Sequence, residues 1–284
     1  MSESAKLTVS VVSGSSEANL GLCLATLKIA VEGLDYRIVV TDNCSAWDVK
    51  SLVKKHFPDA SVRRNETPLG FGENHNNALL AVDDDYALII NDDLELRPDT
   101  VKELLAAAEA KPNGMAFGPL LFPLSWDAQW ISAGGRLGER LPKPVLTSTS
   151  MIVRASLGDE TIRRFLAKRS KKSAPLDCQR SYISGACCLV RRSFVKAHGL
   201  FDPAFYMYFD DIDLGARIRQ SGHECWQVAK AEARHLEGGS FSPRTWSWMM
   251  ASARRYARKH HGILTCLVVS VNLAILKLVL RLRR

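Results

Sequence analysis

In the first 110 residues, short runs rich in Val, Ile and Leu alternate with longer stretches whose apolar residues recur at helical spacing. Parallel strands need a long crossover to return to the same end of a sheet, and a helix is the usual one. The alternation therefore predicts a parallel sheet covered by helices. Strands are expected at LTVSVVSG (7–14), RIVVTDN (37–43), SVRRN (61–65) and YALIIND (86–92). Helices are expected at 20–30, 74–82 and 99–110. A further helix is expected to open at Ser45, with Asp48 three residues on, where hydroxyl and carboxylate satisfy free N–H groups of the first turn. The Pro112-Asn113-Gly114 cluster breaks the chain, and regular patterning returns at YISGACCLVRR (182–192) and after FDDIDL. Between them, Arg163, Arg164, Lys168, Arg169, Lys171 and Lys172 have few large apolar partners and read as a mobile surface segment.

In open parallel sheets, ligands bind beyond the carboxyl ends of the strands, where loops and helix N-termini converge with free N–H groups. This rule sorts the acidic residues. Asp83, Asp84 and Asp85 precede their strand, whereas Asn91, Asp92 and Asp93 follow its last apolar residue, and Asp42 closes a second strand on the same edge. Asp and Asn also make turns and cap helices, so either site alone is as readily structural as functional. Two on one edge favour a ligand: Asp42 can accept from a pyrimidine N–H or a ribose hydroxyl, and Asp93 can give magnesium or manganese a hard oxygen. The stretch LGFGENHNN (69–77) has neither the third glycine of a dinucleotide fingerprint nor a GK[ST] ending. It is either a flexible turn or a loop whose glycines let backbone approach a sugar nucleotide, with Asn74 and Asn76 offering neutral hydrogen bonds.

YFDDIDL sets Asp210, Asp211 and Asp213 beside aromatic residues at a helix start. One aspartate is explained as a cap and Asp213 by an i,i+4 pair with Arg217, which leaves an adjacent carboxylate without a structural task. Clustered like charges raise a carboxyl's pKa, and an acid crowded in this way suits proton abstraction.

The blocks TDNCS, LGFGENHNN, INDDLELRPD, SGACCLVRR, LFDPAFYMYFDDIDLGARIRQSG and HLEGGS occur in the order and approximate spacing of glycosyltransferase family 2. The chain resembles the rhamnosyltransferase-like bacterial branch of that family from about residue 7 to residue 240. The resemblance implies an α/β fold of GT-A type: a mostly parallel sheet flanked by helices, with a Rossmann-like nucleotide-sugar half at 1–120 and an acceptor half at 121–240. It further implies a divalent metal, Mn2+ or Mg2+, and inversion at the sugar carbon by direct displacement. The donor-binding set expected along the carboxyl edge is Asp42, Asn43, Gly70, Phe71, Asn74, Asn91 and Asp92. By position Asn91 and Asp93 stand for the two ends of the DxD motif, Asp93 and His235 hold the metal, and Asp211 is the base with Asp210 beside it. The donor implied is a nucleotide-diphosphate sugar, dTDP-rhamnose first and a UDP-sugar next, and the acceptor a glycan or lipid-linked glycan. An inactive sugar-nucleotide- or glycan-binding relative is the alternative, against which Asp93, Asp211 and His235 stand together. Three departures are visible: SGSS ends the first strand, Asn91 replaces an aspartate, and Asp210 stands where glutamate is commoner.

Charge singles out the C-terminus. The net charge is +8, and from Gly238 to Arg284 there are nine Lys or Arg and no carboxylate. A basic, apolar helical tail is expected at 241–284, and within it residues 263–282 are apolar but interrupted by Asn272, Lys277 and Arg281. The cleanest stretch, 263–276, would rise only about 21 Å as a helix, short of a hydrocarbon core of roughly 30 Å. On a helical projection Ser270, Lys277, Arg281 and Arg284 form a polar stripe. That fits a helix lying in a membrane interface, with Arg254, Arg255, Arg258 and Lys259 drawn to anionic lipid, or one packed on the catalytic domain or a second subunit in a homo-oligomer. Apolar residues among the charges suit lipid better than nucleic acid. The seven cysteines show no CxxC pair, and MSESAK leads directly into an apolar strand. Reduced thiols and a cytoplasmic enzyme, peripheral at the inner face of the membrane, are the expectation.

Overall fold

The computed structural model describes residues 6–80, 82–123, 176–236 and 243–282. The basic stretch at 163–172 lies outside the described residues. The four apolar runs of the first half become strands β1 (Leu7–Ser13), β2 (Tyr36–Asp42), β3 (Ser61–Arg64) and β4 (Tyr86–Asn91). β1 lies between β2 and β4, and β3 adds outside β2, all parallel. Leu7, Val9 and Val11 of β1 are fully buried, and so are Thr8 and Ser10, because helices cover both faces.

Four helices supply the crossovers and cover: α1 (Glu17–Ala30), α2 (Val49–His56), α3 (Phe71–Leu79) and α4 (Thr100–Ala110). α1 begins three residues before the expected start, because the Ser16 side chain caps it by accepting from the Asn19 N–H. The expected cap at Ser45 is corrected. α2 is capped by Asp48, which accepts from the Ser51 N–H, while the Ser45 N–H is drawn back to Asp42 Oδ1 at 2.7 Å.

Beyond β4 the sheet turns mixed. β5 (Leu94–Leu96), β6 (Gly114–Pro123), β7 (Cys178–Arg180), β8 (Cys187–Arg191) and β9 (Glu224–His235) complete the order β3-β2-β1-β4-β8-β6-β9-β5, with β7 also on β9. β8 runs antiparallel to both β4 and β6, β6 and β9 are parallel across two register shifts, and β5 and β7 are antiparallel to β9. α5 (Arg192–His198) and α6 (Asp210–Gln220) pack among Leu79, Ile89, Phe201 and Cys225 on one face.

Contacts divide the chain into two units, 1–139 with 176–240, and 140–175 with 241–284. In the second, α7 (Pro243–Leu282) is broken at Gly262, whose φ of +82° only glycine adopts freely. Its two limbs share a small core of Ala257, Val269, Leu273 and Leu276 with Trp246 and Met250 against it. Of the expected polar stripe, Lys277 is exposed and Arg284 lies outside the described residues. Ser270 turns its hydroxyl back to the Cys266 carbonyl, and the exposed arc carries Ile263, Leu264, Leu267, Val268, Val271, Ile275 and Leu278. By length and composition alone, Arg244–Val279 qualifies as a membrane span.

Candidate active site

The parallel strands bring Ser13, Asp42 and Asn91 to one edge, since Ser13 pairs with Asp42 and Val12 with Asn91. The opposite edge holds Asp84, buried and bound to Thr8 and Arg37, and Asp83, bound to Lys196. A cavity of about 300 Å³ there is lined by Lys6, Tyr36, Arg37 and Asp84, far along the strands from the converging loops. The carboxyl-edge rule thus separates Asp83 and Asp84 from Asp42 and the acids that follow β4.

At that edge, several residues expected to face a donor are engaged with one another. Asp42 is 3% exposed; one oxygen takes the Ser45 N–H and the other the guanidinium of Arg64. Asn43 accepts from the Leu69 N–H at 2.9 Å and donates to the Leu69 carbonyl at 3.1 Å. Asn65 bridges Asn43 and Asn74, and the Asn74 amide donates to the Gly70 carbonyl. Asparagines thus build the Leu69–Gly70 turn from within. Gly70 and Gly72 are required by packing: a Cβ on Gly70 would lie 2.6 Å from the Tyr206 carbonyl oxygen, and one on Gly72 2.6 Å from Phe201. Asn76, the other amide of this loop, bonds to the Phe201 backbone in both directions. Phe71 stands edge-on to His75 at 4.6 Å and also contacts Phe201. Burial pushes His75 down to about 3, so its ring is neutral, and its Nδ1 bonds to Ser10 at 2.8 Å.

The turn after β4 holds the next group. Asp92 accepts the Gly14 and Ser15 N–H groups on one oxygen, each at 2.8 Å, and so fixes the SGSS loop. Its burial raises its pKa, against the lowering effect of those two N–H groups. Asn91 closes β4 at this edge and is half-buried. β5 then pairs with the end of β9, Leu94 opposite His235, which sets His235 Nε2 3.0 Å from Asp93 Oδ1. The expected neighbours thus meet through a strand pairing that spans 142 residues.

Asp211 reaches the same edge through β8. The Asn91 N–H donates to the Ala186 carbonyl at 2.9 Å, and one residue earlier the Gly185 N–H donates to Asp211 Oδ2 at 3.3 Å. Two short steps of backbone therefore separate the end of β4 from the Asp211 carboxylate. The expected aspartate cap of α6 is corrected: Phe209 holds the N-cap position and offers no side-chain bond. Asp210 Oδ1 instead takes the Asp211 N–H at 3.1 Å, and Asp211 Oδ1 takes the Ile212 N–H at 2.8 Å. Asp213 pairs with Arg217 at 2.9 Å as expected. Asp210 is 4% exposed and its Oδ2 has no partner among the described residues. Burial, then the charge of Asp211, holds Asp210 well above the usual carboxylate range, and burial raises Asp211 as well.

The sequence reading missed Arg64, Asn65, Gly185 and Tyr206, whose roles rest on backbone atoms or on partners remote in sequence. Gly185 carried a signal, since it lies in the SGACC block, and a glycine entering a strand marks close approach; here a Cβ would lie 2.9 Å from the Phe71 ring.

Residues 9–199 match the family described as Glycosyl transferase family 2. The chain is similar to an N-acetylglucosaminyl-diphospho-decaprenol L-rhamnosyltransferase of Mycobacterium tuberculosis, 27% identical over 82% of this chain and 77% of that one. It is also similar to the rhamnosyltransferase WbbL of Escherichia coli, 28% identical over 79% of this chain and 83% of that one. Among solved structures, GalNAc-T7 with UDP, GalNAc and Mn2+ aligns with a TM-score of 0.60 at 16% identity over 90% of this chain, which spans 48% of that longer protein. TarS of S. aureus aligns with a TM-score of 0.56 at 14% identity, over 90% of this chain and 73% of that one. These two likenesses establish the α/β fold that the sheet order describes. With the family match spanning most of its length and the carboxylates gathered at the carboxyl edge of its sheet, this chain belongs to glycosyl transferase family 2 and is a glycosyltransferase.

Proposed function

We propose that the enzyme moves a sugar, rhamnose from dTDP-rhamnose as first choice, from a nucleoside diphosphate to a hydroxyl of a lipid-linked or cell-surface glycan, with inversion at the transferred carbon. The observation that carries this reading is the gathering of Asn91, the Asp93–His235 pair and Asp211 around one sheet edge by β4, β5, β8 and β9. Rhamnose as the transferred sugar is suggested by the names of both relatives, and a lipid-linked acceptor by the name of the first.

Asp93 and His235 fit a divalent ion shared with substrate. A carboxylate oxygen and an imidazole nitrogen face each other at 3.0 Å, and among the described residues no third His, Cys, Asp or Glu joins them. Magnesium and manganese sites of this kind take one or two protein ligands and complete their shell from diphosphate and water. Such an ion, when bound, neutralises charge on the departing diphosphate. The chain's own part is the proton. Asp211 in its ionised form accepts the acceptor hydroxyl's proton as that oxygen bonds to the anomeric carbon, and the bond from that carbon to the diphosphate oxygen breaks, its electron pair leaving with the nucleotide. Asp210 carries a proton of its own in this scheme, so one negative charge rather than two sits at the turn. No covalent nucleophile is needed.

The tail is proposed to attach the enzyme to the inner face of the cell membrane. Its exposed apolar arc runs about 22 Å along the second limb, and Arg254, Arg255, Arg258 and Lys259 of the first limb are exposed without any acid in the helix. Donor hydrolysis and transfer measured across dTDP-rhamnose, UDP-glucose, UDP-N-acetylglucosamine and GDP-mannose test the donor assignment. Turnover confined to a UDP-sugar would replace rhamnose with that sugar, and binding without turnover of any donor would favour a glycan-binding relative.

A further inference from the structure

The segment from Tyr206 to Asp211 joins the donor loop to the proposed base, and it does so through a backbone conformation that its residues disfavour. Tyr208 and Phe209 lie at φ +67° and +66°. A Cβ in this left-handed region crowds the following carbonyl, so a bulky residue there is an outlier, and here two stand in succession without a glycine or asparagine. Such backbone persists only where its surroundings over-determine it.

The surroundings provide anchors at both ends. Upstream, the Tyr206 carbonyl accepts the Phe71 N–H at 2.9 Å and lies so close to Gly70 that no side chain fits between them. Phe205, just before it, is fully buried. Downstream, the Phe209 carbonyl accepts the Asp213 N–H at 2.8 Å, and Asp211 takes the Gly185 N–H. Asp213 is held by Arg217, whose guanidinium also binds the carbonyls of His198, Gly199 and Leu200. An ordinary N-cap residue is extended and contributes a side-chain acceptor. Phe209 is left-handed and contributes none, so the direction in which the first turn of α6 leaves is set by backbone at 208–209.

We propose that the left-handed Tyr208–Phe209 pair is a positioning device that ties the Asp211 carboxylate to the donor loop at Gly70–Phe71, so that a shift of that loop against Tyr206 is transmitted to the base. The proposal rests on the reading of Asp211 as base, and Tyr208 and Phe209 act through it.

Substitutions at 209 separate backbone from ring. Phe209→Gly and Phe209→Asn lose the ring but enter the left-handed region readily, whereas Phe209→Ala loses the same ring and resists it. Turnover of the Gly and Asn variants should agree. That of the Ala variant should fall about tenfold below them, the factor that a left-handed Cβ corresponds to, with donor KM unchanged. The pH profile gives a readout that general loss of packing would not move. The Gly185 N–H favours ionised Asp211, so a misplaced carboxylate moves the acid limb of kcat to higher pH in the Ala variant and not in the other two. Asp210 and Asp213, the other carboxylates of that turn, are unchanged in all three. Gly70→Ala pushes on the Tyr206 carbonyl from the donor side and should move the same limb in the same direction, which keeps the test open if the Ala variant folds poorly. Equal turnover in the Ala and Gly variants, with only their melting temperatures differing, overturns the proposal, as does a Gly70→Ala enzyme in which donor KM alone changes. Failure of the base assignment itself is read separately, from Asp211→Asn.

Discussion

Asp211→Asn and Asp210→Asn make a pair of nearly isosteric changes one residue apart, and the structure gives them opposite signatures. At 211 the amide oxygen can keep the Ile212 N–H bond, but the NH2 group must then face the Gly185 N–H. The Gly185 bond is long, at 3.3 Å, so its loss sits at the lower end of the roughly 1–3 kcal/mol range for an unsatisfied buried group. Removing a general base typically costs about a hundred- to ten-thousand-fold, or about 3–5 kcal/mol of barrier. The chemical effect therefore exceeds the structural one, and turnover should fall by that factor at little change in donor affinity and only a modest shift in melting temperature. At 210 burial and the neighbouring Asp211 charge favour the neutral form, so an amide changes the charge little, and turnover should stay within about tenfold of the wild type. Initial-rate kinetics over donor and acceptor, on proteins with melting curves recorded beside them, make the comparison. Near-normal turnover in Asp211→Asn, or a larger loss in Asp210→Asn, would refute the assignment of the base.

Asp210 also sets a stability prediction. Its folded-state pKa is raised, so its favourable contribution is complete at acid pH and is lost as pH rises from the ordinary carboxylate range towards mildly alkaline values. Asp210→Asn should therefore melt with the wild type at acid pH and above it at alkaline pH, and parallel curves across the range would show that the buried carboxyl does not titrate. EDTA should abolish transfer and Mn2+ or Mg2+ restore it, with Asp93→Asn and His235→Ala each raising the metal concentration needed; full activity in chelator would sink the metal assignment. Because burial raises Asp211, the acid limb of kcat should lie above the usual carboxylate pKa, and a limb at an ordinary value would mean that the base is better solvated than the structure implies. Removal of residues 263–284 should release the enzyme from vesicles containing anionic lipid while donor binding persists, whereas an intact chain that ignores such vesicles points to the apolar arc as a contact between copies.

What the sequence made legible follows from the range of the interactions involved. β1 to β4 and their helices declare themselves because each is stabilised by its own apolar pattern, and their parallel order follows from the crossover lengths. The end of each strand then locates Asp42 and Asn91 without further information. The mixed half of the sheet is different. β5 is three residues long and exists only because β9 returns beside it, and β6 and β9 stay paired across two bulges. His235 therefore had no local signal and was reached only through the family resemblance.

The donor loop and the base show a subtler limit. The amides of Asn43 and Asn74 and the bare backbone of the two glycines suit a sugar nucleotide, and in the folded chain the same groups also hold the Leu69–Gly70 turn and admit Tyr206 and Phe201. Composition cannot separate these uses, since a group that recognises a ligand and one that shapes the loop offer identical atoms. At 208–209 local reasoning points the wrong way, because tyrosine and phenylalanine argue against the left-handed backbone they adopt. A conformation that its residues oppose must be imposed by distant contacts, here Gly70 against Tyr206 and Gly185 on Asp211, and those contacts involve the residues expected to bind donor and to take the proton. The sequence is least readable at this turn because its conformation is determined by the assembled site and not by the turn itself.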